Sequence, residues 1–151
     1  MESNSKPNIK LAVPFLAVAD MEASLRFYTE DLGFTMTKHW TPRGKIEWCW
    51  LERDAVALML QEPGRDKEHS PEPERKPKTG PSLCFQCEDA LALYHEFKER
   101  GVPMKEPFVG NGMWVVALTD PDGYHLDFES ITDVAEETTY AEWSKLAGKK
   151  W

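Results

Sequence analysis

Asp20-Met21-Glu22-Ala23-Ser24-Leu25-Arg26-Phe27-Tyr28, running on to Asp31-Leu32-Gly33, has the form of a capped amphipathic helix stopped by a glycine. Asp20, or Ala19 beside it, stands at the cap position, where a side-chain oxygen can satisfy a first-turn N–H. Leu25, Phe27, Tyr28 and Leu32 supply an apolar stripe, and Gly33 provides a left-handed exit. The apolar run Leu11 to Ala19 precedes this helix. Strand-like runs follow at Thr35 to Trp40, Ile46 to Leu51 and Ala55 to Gln61, with Pro42-Arg43-Gly44 as a turn. The order then recurs. Leu83-Cys84-Phe85 leads to Asp89 and a helical stretch from Ala90 to Arg100, with Leu91, Leu93, Tyr94 and Phe97 toward a sheet and Gly101 at its end. Strands close on Asp120-Pro121-Asp122-Gly123-Tyr124-His125-Leu126-Asp127-Phe128, where proline second and glycine fourth make a turn. The sequence therefore predicts an α+β domain over residues 1–151 built from two tandem βαβββ modules, about 10–61 and about 81–131. A repeat of this length implies that neither module buries its sheet face alone.

Between the modules, residues 62–80 are charged and proline-rich with no apolar periodicity, which marks a linker. Beyond Thr132 an acidic amphipathic stretch, Asp133 to Ala147, predicts a last helix within the tail 132–151. A net charge of -8 argues against nucleic acid, whose phosphates require a basic face. The longest apolar run is interrupted by Pro14 and is too short to span a membrane. Met1-Glu2-Ser3-Asn4-Ser5 has neither the basic start nor the apolar core of a secretory signal. Three cysteines, an odd number without a framework pattern, fit a reducing compartment, so the expected location is cytoplasmic. Cys84-Phe85-Gln86-Cys87 spells C-x-x-C, but within a strand, with no helix start behind it and no second pair to complete a zinc site.

The D-x-x-x-S-L-x-F-Y-x-x-x-L-G-F string at Asp20 to Phe34 and the D-P-D-G-Y-x-L-x-F string at Asp120 to Phe128 resemble the glyoxalase, bleomycin-resistance and extradiol dioxygenase superfamily, over roughly residues 10–131. The resemblance implies sheets that curl into a mixed-sheet cleft, often completed by a second subunit. It also implies four positions that hold His, Gln or Glu around a divalent metal in the superfamily's enzymes. Here those positions fall at Val13 or Pro14, Met59, Ser82 and Asp127. Only Asp127 is a competent ligand, and a catalytic metal needs about three. His125, Asp127 and Glu129 alternate on one strand face, about 7 Å apart per step of two, too far for all three to meet one ion. His39, His69 and His95 are weaker candidates still, and no metal or cofactor is expected.

What the cleft gains is aromatic surface. Of six tryptophans, Trp40, Trp48, Trp50 and Trp114 lie in strand regions, and Trp48 and Trp50 share a face, which alternation alone leaves as either the cleft or the helix side. With Met59, His125, Asp127 and Glu129 they form the expected ligand-binding set. Stacking and charge pairing suit a flat cationic aromatic small molecule. The expectation is a metal-independent, homodimeric binding protein that sequesters its ligand, most similar to bleomycin-resistance proteins, with no catalytic residue. The rival is a metal-dependent lyase, isomerase or dioxygenase of the same superfamily. A partner-binding module has only the amphipathic tail in its favour.

Overall fold

The computed structural model describes residues 7–63 and 82–147. Most of the expected linker lies outside these. The first module runs β1 (Phe15–Ala17), α1 (Met21–Arg26), β2 (Thr35–Trp40), β3 (Trp48–Arg53) and β4 (Val56–Gln61). The second runs β5 (Leu83–Gln86), α2 (Ala90–Glu99), β6 (Phe108–Gly110), β7 (Met113–Thr119) and β8 (His125–Ile131), and α3 (Tyr140–Leu146) follows. Each module makes one four-stranded mixed sheet, ordered β1-β4-β3-β2 and β5-β8-β7-β6, with the first strand parallel to the last. The two sheets are not closed into one. The α+β fold of paired βαβββ units is thus present as the repeat implied.

The same chemistry starts both crossover helices. Asp20 and Asp89, each with an extended backbone, accept hydrogen bonds from the N–H groups of Ala23 and Ala92. After Arg26 the first helix loosens into a π-helical turn over Phe27–Asp31, and Gly33 leaves it at φ +81. Any side chain is strained at that φ. A Cβ would lie 2.8 Å from Arg53 Nη1, which donates to the Leu32 carbonyl at 2.7 Å.

Alternation then sorts each sheet. Cys49, Leu51, Leu58 and Leu60 are fully buried on the helix side of the first sheet, and Val116, Leu118, Leu126 and Phe128 are buried on that of the second. Burying each aliphatic side chain of this size is worth about 1.5–3 kcal/mol. One continuous core links both modules.

The Asp-Pro-Asp-Gly-Tyr turn welds the modules together. Tyr28, fully buried, donates its hydroxyl to Asp120 Oδ2 at 2.8 Å. Asp120 Oδ1 accepts from the backbone N–H groups of Asp122 and Tyr124, each at 2.9 Å. Asp122 accepts from the Ala19 N–H and the Ser24 hydroxyl, and Tyr124 donates to the Ala17 carbonyl. A reciprocal contact joins the β3–β4 turn to α2, where Arg53 grips both oxygens of Glu96 at 3.0 Å.

The C-terminal segment differs from expectation. Helix occupies only Tyr140–Leu146 rather than 133–147. Thr139 and Glu142 form a capping box that sets the start, Glu137 has φ 68, and Glu136 turns its carboxylate to the N–H groups of Asn111 and Gly112. Tertiary hydrogen bonds thus claim the first half of a segment whose apolar spacing alone reads as helical.

Candidate functional site

On β3 the helix side is taken by Cys49 and Leu51, so Trp48 and Trp50 stand on the opposite, outward face. Strand register extends this face in two rows. Phe15, Met59, Trp50 and Lys38 face one another across β1, β4, β3 and β2, and Gln61, Trp48 and Trp40 form the next row. Such cross-strand neighbours lie about 5 Å apart, close enough for aromatic and aliphatic side chains to touch. Phe15 is 55% exposed and Trp40 52%. The Trp50 indole N–H donates to Glu52 at 2.6 Å, and the Lys38 ammonium rests 4.6 Å from the ring centroid. An indole face held this way is a cation-accepting surface.

The outward face of the second sheet is polar along β5 and β8, while β7 and β6 bring Ala117, Val115 and Phe108 to it. His125, Asp127 and Glu129 alternate along β8 between the buried Leu126, Phe128 and Ser130. Cys84 lies beside Asp127 in the parallel register, and Gln86 beside Glu129. The Gln86 amide donates to Glu129 at 3.3 Å and to the Cys84 sulfur at 3.2 Å. Partial burial, and then the neighbouring Glu129 charge, hold the Asp127 carboxyl above the usual aspartate range, against a smaller opposite pull from His125 and Lys105. This half of the face thus brings two carboxylates within mutual electrostatic reach.

The residues expected to line one cleft are therefore distributed. Trp40, Trp48, Trp50 and Met59 share the outward face of the first sheet, and His125, Asp127 and Glu129 that of the second. Trp114 does not join them. It is 5% exposed, on the helix side of β7, with its ring against Tyr140 at 6.4 Å and Trp143 at 5.4 Å. The placement of Trp114 in the cavity wall is corrected by α3, which packs under β7 and covers the indole. Phe15, Lys38, Cys84 and Gln86, which sequence reasoning left out, belong to the outward faces. Counting across the sheets from Met59 and Asp127 would have found them, had the register been known.

The superfamily's metal does not fit. Met59 has Phe15 opposite it, and Asp127 has Cys84. Among the described residues no group of three His, Cys, Asp or Glu is disposed to hold a metal ion. The thiols are poor ligands as they stand, since burial is the first cause raising the pKa of both Cys84 and Cys87, and all three cysteines are free. No described helix is long and apolar enough to cross a membrane.

Comparison with known proteins agrees with this architecture. The model of the Glyoxalase/Bleomycin resistance protein/Dioxygenase superfamily matches residues 10–128. The uncharacterized protein YurT of Bacillus subtilis (strain 168) is 32% identical over 120 residues, covering 74% of this chain and 91% of its own. Among solved structures, a glyoxalase/bleomycin resistance protein/dioxygenase from Nocardioides superposes with a TM-score of 0.65 at 17% identity, covering 88% of this chain and 90% of the other. A bleomycin-binding protein complexed with bleomycin superposes with a TM-score of 0.63 at 23% identity, covering 81% and 98%. At these identities the superpositions speak for the fold.

Proposed function

The chain belongs to the glyoxalase/bleomycin resistance protein/dioxygenase superfamily, and from that premise we propose that it is a metal-independent binding protein for a flat, cationic aromatic small molecule, which it sequesters without breaking a bond. The observation that carries this reading is the Lys38 ammonium over Trp50, on a face that also presents Trp48, Trp40, Phe15 and Met59. A ligand that is itself aromatic and cationic stacks on these rings and sets its own cation on the indole face in place of the Lys38 ammonium. Asp127 and Glu129 supply the countercharge. The bleomycin-binding neighbour is a precedent for the ligand class on this fold.

The aromatic and acidic faces belong to different sheets that share one core on their helix sides. In this reading a twofold-related second copy lays its acidic face over the aromatic face of the first, so the binding unit is a homodimer, in the cytosol. Exposed apolar area of this kind is a common mark of an interaction surface.

Tryptophan emission tests the function. A cationic aromatic antibiotic should quench it saturably, with an affinity that weakens as salt screens the charge pairing. Trp48→Ala should cost about 1–3 kcal/mol of binding without unfolding the protein. Quenching by neutral glutathione adducts and not by the cations would replace sequestration with a glyoxalase-type activity.

A further inference from the structure

A groove of about 520 Å³ opens at the seam between the modules, bounded by the exit of α1, the β3–β4 turn and α2. Of the outward-face residues named above it takes only Gln86. Its walls are Leu32, Phe34, Val56, Leu93 and the stacked pair Phe85 and Phe128, whose ring centroids are 4.6 Å apart. This volume lies in the range of about 300–1,000 Å³ that suits small-molecule sites, and the walls are the apolar kind such sites use. The charges around it are unequal. Arg53 is committed, with hydrogen bonds to both oxygens of Glu96 and to the Leu32 carbonyl. Asp54, Glu88 and Asp89 add three carboxylates to the lining. The Asp54 side chain is 90% exposed, and its ion-pair distance to Arg53 is a long 3.8 Å. Asp89 uses one oxygen to cap α2.

We propose that this groove is a second small-molecule site, for a compact apolar body bearing a single amine. An anionic ligand would meet three carboxylates and a guanidinium already spoken for, whereas an ammonium finds complementary charge at the mouth while its apolar body covers the aromatic floor. The site straddles both modules, so the amine ties them together when bound.

Cys87 lines the groove and reports its occupancy. In a Cys84→Ser background it is the accessible thiol, because Cys49 is fully buried with its pKa pushed up to about 11. Saturating 2-naphthylmethylamine should slow iodoacetamide alkylation of Cys87 by about fivefold more than 2-naphthylacetate does, the factor that one partly exposed charge pair supplies. Ala92→Phe, which fills the groove from an exposed position on α2, should remove any further slowing by the amine. Trp48→Ala should leave the protection intact, which separates this site from the sheet-face function. Equal protection by amine and acid, no protection by either, or protection lost in Trp48→Ala would overturn the proposal.

Discussion

Tyr28→Phe removes one hydroxyl and almost no volume, and its cost can be worked from the geometry. The ring keeps its edge contacts with Phe27 at 5.1 Å and Phe34 at 6.0 Å, so the apolar term is nearly unchanged. What goes is the 2.8 Å bond to Asp120 Oδ2, which ties the π-helical turn after α1 to the β7–β8 turn across 92 residues of sequence. A hydrogen bond to a charged group is worth about 1.5–3 kcal/mol. Both backbone donors to Asp120 serve Oδ1, so Oδ2 loses its partner in a buried site and the whole of that range applies at pH 7. With a urea m-value of about 1.5 kcal/mol/M, the midpoint should fall by about 1–2 M with m unchanged.

The pH dependence sharpens the test. Burial raises the folded pKa of Asp120 and the Tyr28 bond lowers it, so the variant's folded pKa climbs further. Ionising Asp120 in the folded protein then costs more in the variant than in the parent as pH rises through that window. The difference between the two proteins is therefore largest at neutral pH. It shrinks toward the roughly 0.5–1.5 kcal/mol of a neutral bond as pH falls through the folded pKa of Asp120 toward the unfolded value near 3.9. A loss below about 0.5 kcal/mol at pH 7, or one that does not change on acidification, would refute the reasoning.

Three further outcomes follow from the same structure. Glu96→Gln should destabilise by about 0.5–1 kcal/mol in urea titrations. Its partner Arg53 lowers the Glu96 pKa, so this contribution is present above the unfolded value and should disappear as pH falls through the folded one. Asp127→Asn should weaken binding of a cationic ligand mainly at low ionic strength, and a loss equal at high and low salt would remove Asp127 from the charge pairing. Light scattering should give twice the chain mass of 17.3 kDa, and a monomer mass across micromolar concentrations would remove the second copy from the site.

The two crossover helices were legible because their signals are local. Asp20 and Asp89 cap them, glycines end them, and the same order appears twice. Strands β2, β3 and β4 were recovered to within two residues, with Thr35–Trp40 matched at both ends, whereas β1 occupies only the end of the apolar run Leu11 to Ala19. Faces were harder. Trp48 and Trp50 alternate with Cys49 and Leu51, and both sets are apolar enough to be core, so the pattern has no sign until the helix is docked. Trp114 sits in Met113-Trp114-Val115-Val116-Ala117-Leu118, apolar in both phases of the alternation. It is covered by α3, whose own position depends on Glu136 reaching the Asn111 and Gly112 N–H groups and on the backbone of 137–140 bonding to Pro107 and Val109. Lys38 was invisible for a related reason. Its partner Trp50 is twelve residues away and is brought opposite only by a register that shifts between Met36 and Lys38.

The central claim, binding without a metal, is tested most directly by calorimetric titration of the protein with bleomycin before and after exhaustive treatment with a chelator. The account predicts saturable binding of the same affinity in both samples, weakened by Trp50→Ala. Binding or turnover that vanishes on chelation and returns with one equivalent of a divalent metal per chain would contradict it.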